Sequence, residues 1–187
     1  MNSSRLIFTL TLILLIGIAL MVDGFFASLL TPFGVRIFLV HTIFLTCALT
    51  VSFPMMLGFA FAIGFIWDSS QMAVTGVNDV GFGYSIFLLG LTGSLMQGVC
   101  PLFERGRWEV PVVLVGVATA LLMSMEWFFV SFGRANFIVP EKFWKDLWVS
   151  SLLGMLASPI FFYLIFKLSR LTGYPILTMK VTAEKGI

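Results

Sequence analysis

Apolar residues run through the chain in six stretches, 6–22, 37–53, 55–67, 81–100, 111–132 and 147–166, with short polar breaks between them. The stretches are apolar all round, so no polar stripe marks a side that would face water. Most have the length of about 20 residues that carries a helix across a bilayer core of roughly 30 Å. The pattern predicts an all-α polytopic membrane protein, a six-helix bundle forming one integral-membrane domain over 1–187.

The breaks set the predicted boundaries. Asp23-Gly24 closes the first span, a short apolar connection follows, and Thr31-Pro32-Phe33-Gly34 makes a turn. Pro54 separates the second span from the third, since proline suits a first helical turn. The third span, 55–67, covers only about 20 Å. Residues 68–80, polar at both ends with Asp68-Ser69-Ser70-Gln71 and Gly76, Asn78 and Asp79, read as an ordered external loop. Pro101 ends the fourth span, and Pro111 starts the fifth. An amphipathic loop, Gly133 to Asp146, precedes the sixth, which Lys167 and Arg170 stop before a cytoplasmic tail over 167–187.

Composition sharpens the membrane reading: 59% of residues are hydrophobic, 11% are charged and the mean hydropathy is +1.06. A soluble domain is nearer half apolar and a quarter charged. A net charge of +2, with dispersed basic residues, excludes a charged nucleic-acid surface. Cys47 and Cys100 fall within or at the edge of apolar runs and read as buried, inert thiols. Arg5 ahead of the first apolar run resembles a signal peptide, but spanning length and the spans that follow predict a retained helix.

Orientation follows from lysine and arginine bias. With the N-terminus cytoplasmic, that side carries Arg5, Arg105, Arg107, Lys167, Arg170, Lys180 and Lys185, against Arg36, Arg134, Lys142 and Lys145 outside, 7 to 4. Both termini are therefore expected in the cytoplasm. Trp67, Trp108, Trp127, Trp144 and Trp148 all fall near predicted span ends, as an interfacial aromatic belt requires.

Few residues carry candidate chemistry. His41 and Glu126 lie inside predicted spans near their outer ends, where an ionisable group is costly and therefore a functional candidate. Each also fits a structural, hydrogen-bonding or interfacial role. A hydrolase or transferase needs a nucleophile with its base, paired carboxylates or metal ligands at defined spacing. The chain has one histidine, and Asp68 and Asp79 are separated by a loop, so no enzyme, metal site or cofactor is expected. The small residues are the stronger signal: Gly58, Ala62, Ala60 and Gly64 in the third span, and Gly81, Gly83, Gly90, Gly93 and Ser94 in the fourth, allow close helix contact. Packing within the bundle and docking of another protein's helix both account for them.

The run Gly58-Phe59-Ala60-Phe61-Ala62-Ile63-Gly64-Phe65-Ile66-Trp67-Asp68, followed by Val80-Gly81-Phe82-Gly83-Tyr84 and a small-residue helix, resembles the MreD family of rod-shape-determining proteins. The family's pattern is a glycine-rich span ending in glycine, three hydrophobic residues and aspartate, then a loop with Leu-Gly-hydrophobic and another span. Gly64 to Asp68 fits the first part and Gly81-Phe82-Gly83 the second, with Asp79-Val80 where the family often has proline. The resemblance implies a noncatalytic scaffold of the bacterial cytoplasmic (inner) membrane, within the complex that organises lateral peptidoglycan synthesis. Its implied partners are MreC, through that protein's transmembrane helix, with MreB, RodA and the elongation transpeptidase. On this reading Asp68 stabilises a following helix N-terminus or an interfacial donor.

The alternative is a substrate-capturing subunit of an energy-coupling-factor vitamin transporter, similar in size and span number, whose general architecture the MreD resemblance also implies. Those subunits typically carry Ala-x-x-x-Ala in the first span, and Thr11 to Ala19 lacks it. A vitamin site gathers several polar groups in an outward pocket, and His41, Glu126, Asp68 and Asn78 are the candidates for one.

Overall fold

The computed structural model describes residues 3–30, 39–75, 81–99, 109–133, 137 and 139–174. Among them are six helices and no strand: α1 (Ser3–Leu30), α2 (Leu39–Ala48), α3 (Phe53–Thr75), α4 (Tyr84–Val99), α5 (Glu109–Gly133) and α6 (Glu141–Thr172). Four contain apolar segments long enough to cross a membrane, Ser4–Phe26, Phe53–Ser70, Glu109–Gly133 and Glu141–Thr172, which is consistent with a multi-pass membrane protein. The other two are shorter than the expected spans.

The second span is the largest correction. Instead of a helix over 37–53, α2 has 10 residues, about 15 Å and half a bilayer core. It ends because the Cys47 carbonyl accepts from Thr50 N (2.9 Å), Val51 N (2.9 Å) and the Thr50 hydroxyl (3.0 Å), which closes a turn. Ser52 then starts α3, its carbonyl accepting from Met56 N at 2.9 Å, and Pro54 falls in the first turn, where its missing N–H costs nothing. The side-chain amide of Gln97 donates to the Val51 carbonyl (2.9 Å), so this non-helical backbone is satisfied inside the protein. A short α2 is tolerated because it never meets lipid. Val40 through Ala48 are all buried, and α2 touches every other helix. It is the central post of the bundle.

The remaining boundaries move outward where polar residues stay helical. Asp23-Gly24 does not close α1, and residues 25–30 continue it; one interior glycine costs only about 1 kcal/mol relative to alanine. Residues 68–75, expected in a loop, extend α3, where the Ser69 and Ser70 hydroxyls bond back to the Phe65 and Trp67 carbonyls, both at 2.7 Å. Gly81 to Gly83 form the turn before α4 rather than its start, and Glu141 to Asp146 belong to α6. The remainder of the 68–80 loop, Cys100 with the loop to 108, and the tail from 175 lie outside the described residues.

α6 has 32 residues and contains Pro159, which removes one helical N–H. The Ser158 hydroxyl donates to the carbonyl that this N–H would have met, that of Met155, at 3.0 Å. Gly173, with φ +66°, ends the helix, and Tyr174 N closes back on the Ser169 carbonyl. Tyr174 then stacks on Phe8 of α1 with ring centroids 4.6 Å apart, so the start of α1 and the end of α6 share one end of the bundle.

Close crossings hold the layers together. α3 pairs with α4 and α5 with α6. A Cβ on Gly64 would lie 2.6 Å from the Ile86 backbone, one on Gly93 2.6 Å from Met56 Sδ, and one on Gly116 2.1 Å from Met155 Cγ. At Gly154 of α6 it would lie 3.1 Å from Thr119 Oγ1 of α5 and 3.5 Å from Thr42 Oγ1 of α2. Gly116 and Gly154 went unnoticed in the sequence because they stand apart from the glycine-rich third and fourth stretches.

Candidate functional site

Asp23, Asp68, His41 and Glu126 lie toward the end of the bundle opposite the start of α1 and the end of α6. Asp23 lies on α1 and is 5% exposed. Its carboxylate accepts from Leu39 N (Oδ1, 3.0 Å) and Val40 N (Oδ2, 2.9 Å), the first two amides of α2. A helix N-terminus presents amides with no partner inside the helix, and a carboxylate answers both their hydrogen bonds and the positive end of the helix dipole. Asp68 on α3, also 5% exposed, accepts from Gly83 N through Oδ2 at 2.8 Å. Gly83 has φ +96° and stands immediately before α4, its carbonyl taking the Phe87 N–H at 3.1 Å.

The two aspartates thus act alike. Each rides on a long helix and anchors the start of the shorter helix that follows, 16 and 17 residues on for Asp23 and 15 for Asp68. The local sequence predicts Asp23-Gly24 only as the close of the first span, not as an anchor for the next helix. The signal was present as matched spacing between each aspartate and the next apolar run.

His41, in the first turn of α2, is 6% exposed and meets the Trp67 ring edge-on at 4.9 Å. Trp67 adjoins Asp68, so the histidine lies beside the α3 anchor. From the other side, the Tyr84 hydroxyl donates to the Met125 carbonyl of α5 at 3.1 Å, and the Tyr84 ring meets Phe129 at 5.2 Å. This ties the first residue of α4 to the turn of α5 that carries Glu126. Glu126, Met123, Leu122 and Thr119 of α5 then line a cleft with His41. The Thr119 hydroxyl itself donates to the Val115 carbonyl at 2.8 Å. His41 and Glu126, 85 positions apart in sequence, therefore line one cleft from two helices.

The interior of the cleft measures about 10 Å³, far below the 300 to 1,000 Å³ of ordinary small-molecule sites. Asp68 is engaged with Gly83 N and is not among the cleft's lining residues; Asn78 lies outside the described residues. Among the described residues no three histidine, cysteine, aspartate or glutamate side chains are placed to share a metal ion. Cys47 is buried.

The seven motif residues do not form one surface. Gly64 and Gly93 are filled from inside the bundle, Gly93 by Met56 and Phe44. Gly81 and Gly83 belong to the turn before α4. A Cβ at Gly58 would meet nothing within 4 Å, and one at Gly90 only Leu57 Cδ2 at 4.0 Å. The motif glycines are thus divided between an internal seam at Gly64 and Gly93 and an open face at Gly58 and Gly90.

No protein-family model matches the chain, and no curated protein or solved structure matches it.

Proposed function

We propose that this protein is an MreD-like, noncatalytic scaffold of the bacterial cell-elongation complex. In that role it lies in the cytoplasmic membrane with both termini in the cytoplasm and holds the transmembrane helix of MreC. MreB, RodA and the elongation transpeptidase are the further partners of such a complex. The observation that carries the reading is the Gly64 to Asp68 run with the Gly81-Phe82-Gly83 turn. Gly64 is where α3 meets the Ile86 backbone, and Asp68 is where α3 holds the α4 entrance. Those residues build a rigid two-helix unit, as a scaffold needs. The small cleft also supports a scaffold over vitamin capture, because a vitamin needs more room.

On this reading the MreC helix packs against the open side of α3 and α4, at Gly58 and Ala62 with Gly90, where small side chains let another helix come close. Purification from the native host in mild detergent, with identification of the bound proteins, tests the assignment. MreC is the expected companion. Recovery of an energy-coupling ATPase pair in its place would overturn the scaffold reading. Gly58→Leu and Gly90→Leu are expected to weaken MreC capture without lowering the melting temperature. Full capture in both variants would remove the open face as the docking site.

A further inference from the structure

The first four helices repeat one unit. Asp68 follows Asp23 by 45 positions, and Tyr84, which opens α4, follows Leu39, which opens α2, by the same 45. Each aspartate closes a long helix onto the start of a shorter one. Ala19, a buried small residue one turn before Asp23, has as its counterpart Gly64, buried one turn before Asp68. α1–α2 and α3–α4 are therefore equivalent hairpins, and a position in the first has its counterpart 45 residues on in the second.

The hairpins differ in what covers them. α6 packs on both α1 and α2. Tyr174, just past the end of α6, stacks on Phe8, and a Cβ on Gly154 of α6 would lie 3.5 Å from Thr42 Oγ1. On this covered side Phe8, Leu12 and Ile16 of α1 are between 0% and 5% exposed, and Thr42, Leu45 and Leu49 of α2 between 0% and 4%. The counterparts of the α1 residues, Phe53, Leu57 and Phe61, are between 39% and 59% exposed, and Phe87, the counterpart of Thr42, is 57% exposed. Gly90 and Ser94, the counterparts of Leu45 and Leu49, are half-exposed. Both helices line one groove, since a Cβ on Gly90 would meet Leu57 Cδ2 at 4.0 Å.

We infer that the α3–α4 groove is a seat for one transmembrane helix of a different protein, placed as α6 is placed on α1–α2. The second hairpin keeps the apolar track of the first and lacks only the helix that fills it. Gly90 and Ser94 stand where α2 carries leucines, so the occupant presents large apolar side chains at that level. Glycine inside a helix lowers its stability, and close approach of a second helix is the benefit it brings within a membrane. The seat deepens the scaffold reading above and rests on it only for the identity of the occupant.

Photocrosslinking in the native host tests the seat on the full chain. Benzoylphenylalanine is placed singly at Phe53 and Phe87, and at Leu14 of α1 and Leu156 of α6 as exposed controls. Both groove positions are expected to form adducts with the same helix of one protein. Phe53 lies four residues before Leu57 on the ascending helix and Phe87 three before Gly90 on the descending one, so the attachment points should stand about seven residues apart. Gly90→Leu is expected to lower both adduct yields at least about tenfold with the melting temperature kept, because the new side chain fills the groove. Adducts on the MreC helix support the seat and the scaffold reading together. Adducts on one helix of another protein keep the seat and remove MreC from it. Adducts with lipid alone, with a second copy of this chain, or at equal yield from the two controls overturn the seat. The adduct pattern of the unsubstituted groove decides even if Gly90→Leu folds poorly.

Discussion

Gly64→Ala adds one methyl group at the tightest approach of α3 to α4. The new Cβ would lie 2.6 Å from both Cα and N of Ile86 and 2.8 Å from its Cγ1. Two of those atoms are backbone, so no rotamer change clears them. Ordinary carbon contacts need about 3.5 to 4 Å, so the helices must separate locally by about 1 Å. Overpacking of this kind costs about 1–3 kcal/mol, and the same separation strains the 2.8 Å bond from Gly83 N to Asp68. Gly58→Ala, six residues away on the same helix, meets nothing within 4 Å and provides the control. There alanine gains up to about 1 kcal/mol of helix propensity with no clash. Reversible unfolding in mixed detergent micelles, followed by tryptophan fluorescence, is expected to show Gly64→Ala destabilised by about 1–3 kcal/mol. Gly58→Ala should be unchanged or slightly more stable. Equal stability of the two variants would refute the assignment of Gly64 as the closure point of the hairpin.

The two anchoring aspartates are expected to differ in weight. Asp23→Ala strips acceptors from a buried and a part-buried amide, at up to about 1–3 kcal/mol each, whereas Asp68→Ala strips one part-buried amide. Hydrogen exchange at Leu39 and Val40 should accelerate in Asp23→Ala only; unchanged protection there would show that the carboxylate does not hold α2. Gly83→Ala places a side chain at φ +96°, a conformation that costs of order 1–3 kcal/mol for residues other than glycine. Its melting temperature should fall although no atom obstructs the new methyl, and an unaltered value would count against the turn. Ser158→Ala leaves the Met155 carbonyl without its side-chain donor beside Pro159. A loss of about 1 kcal/mol, rescued by restoring the N–H in the double variant Ser158→Ala with Pro159→Ala, is the expected pattern; no rescue would reject the account.

Much of the fold was legible in the hydrophobic pattern. Six apolar stretches became six helices, and Pro54 and Pro111 fall in the opening turns of α3 and α5. The differences cluster where a polar residue, expected to end a helix, stays inside it. Asp23, Asp68, Ser69 and Ser70 all lie within helices, since a partner amide or a carbonyl one turn back satisfies each of them. The opposite difference falls at Thr50 to Ser52, where a mostly apolar stretch passes through a turn. Only the Cys47 carbonyl, with three donors on it, and the Gln97 amide on Val51 mark the break, and Gln97 reaches it from another helix.

The candidate site shows the same division. His41 and Glu126 stood out singly as ionisable groups in apolar surroundings, and Gly64 to Asp68 stood out as a motif. Composition determined the solvent, and the period and length of the apolar runs determined the class of element, because both depend on local preference for lipid over water. Tertiary structure decided that α2 is a buried post rather than a span, that Gly93 packs inward while Gly58 stays open, and that His41 and Glu126 share a cleft. Those outcomes depend on contacts between distant positions. In a helix apolar all round, nothing in the local pattern distinguishes the face that meets lipid from the face that meets its neighbour.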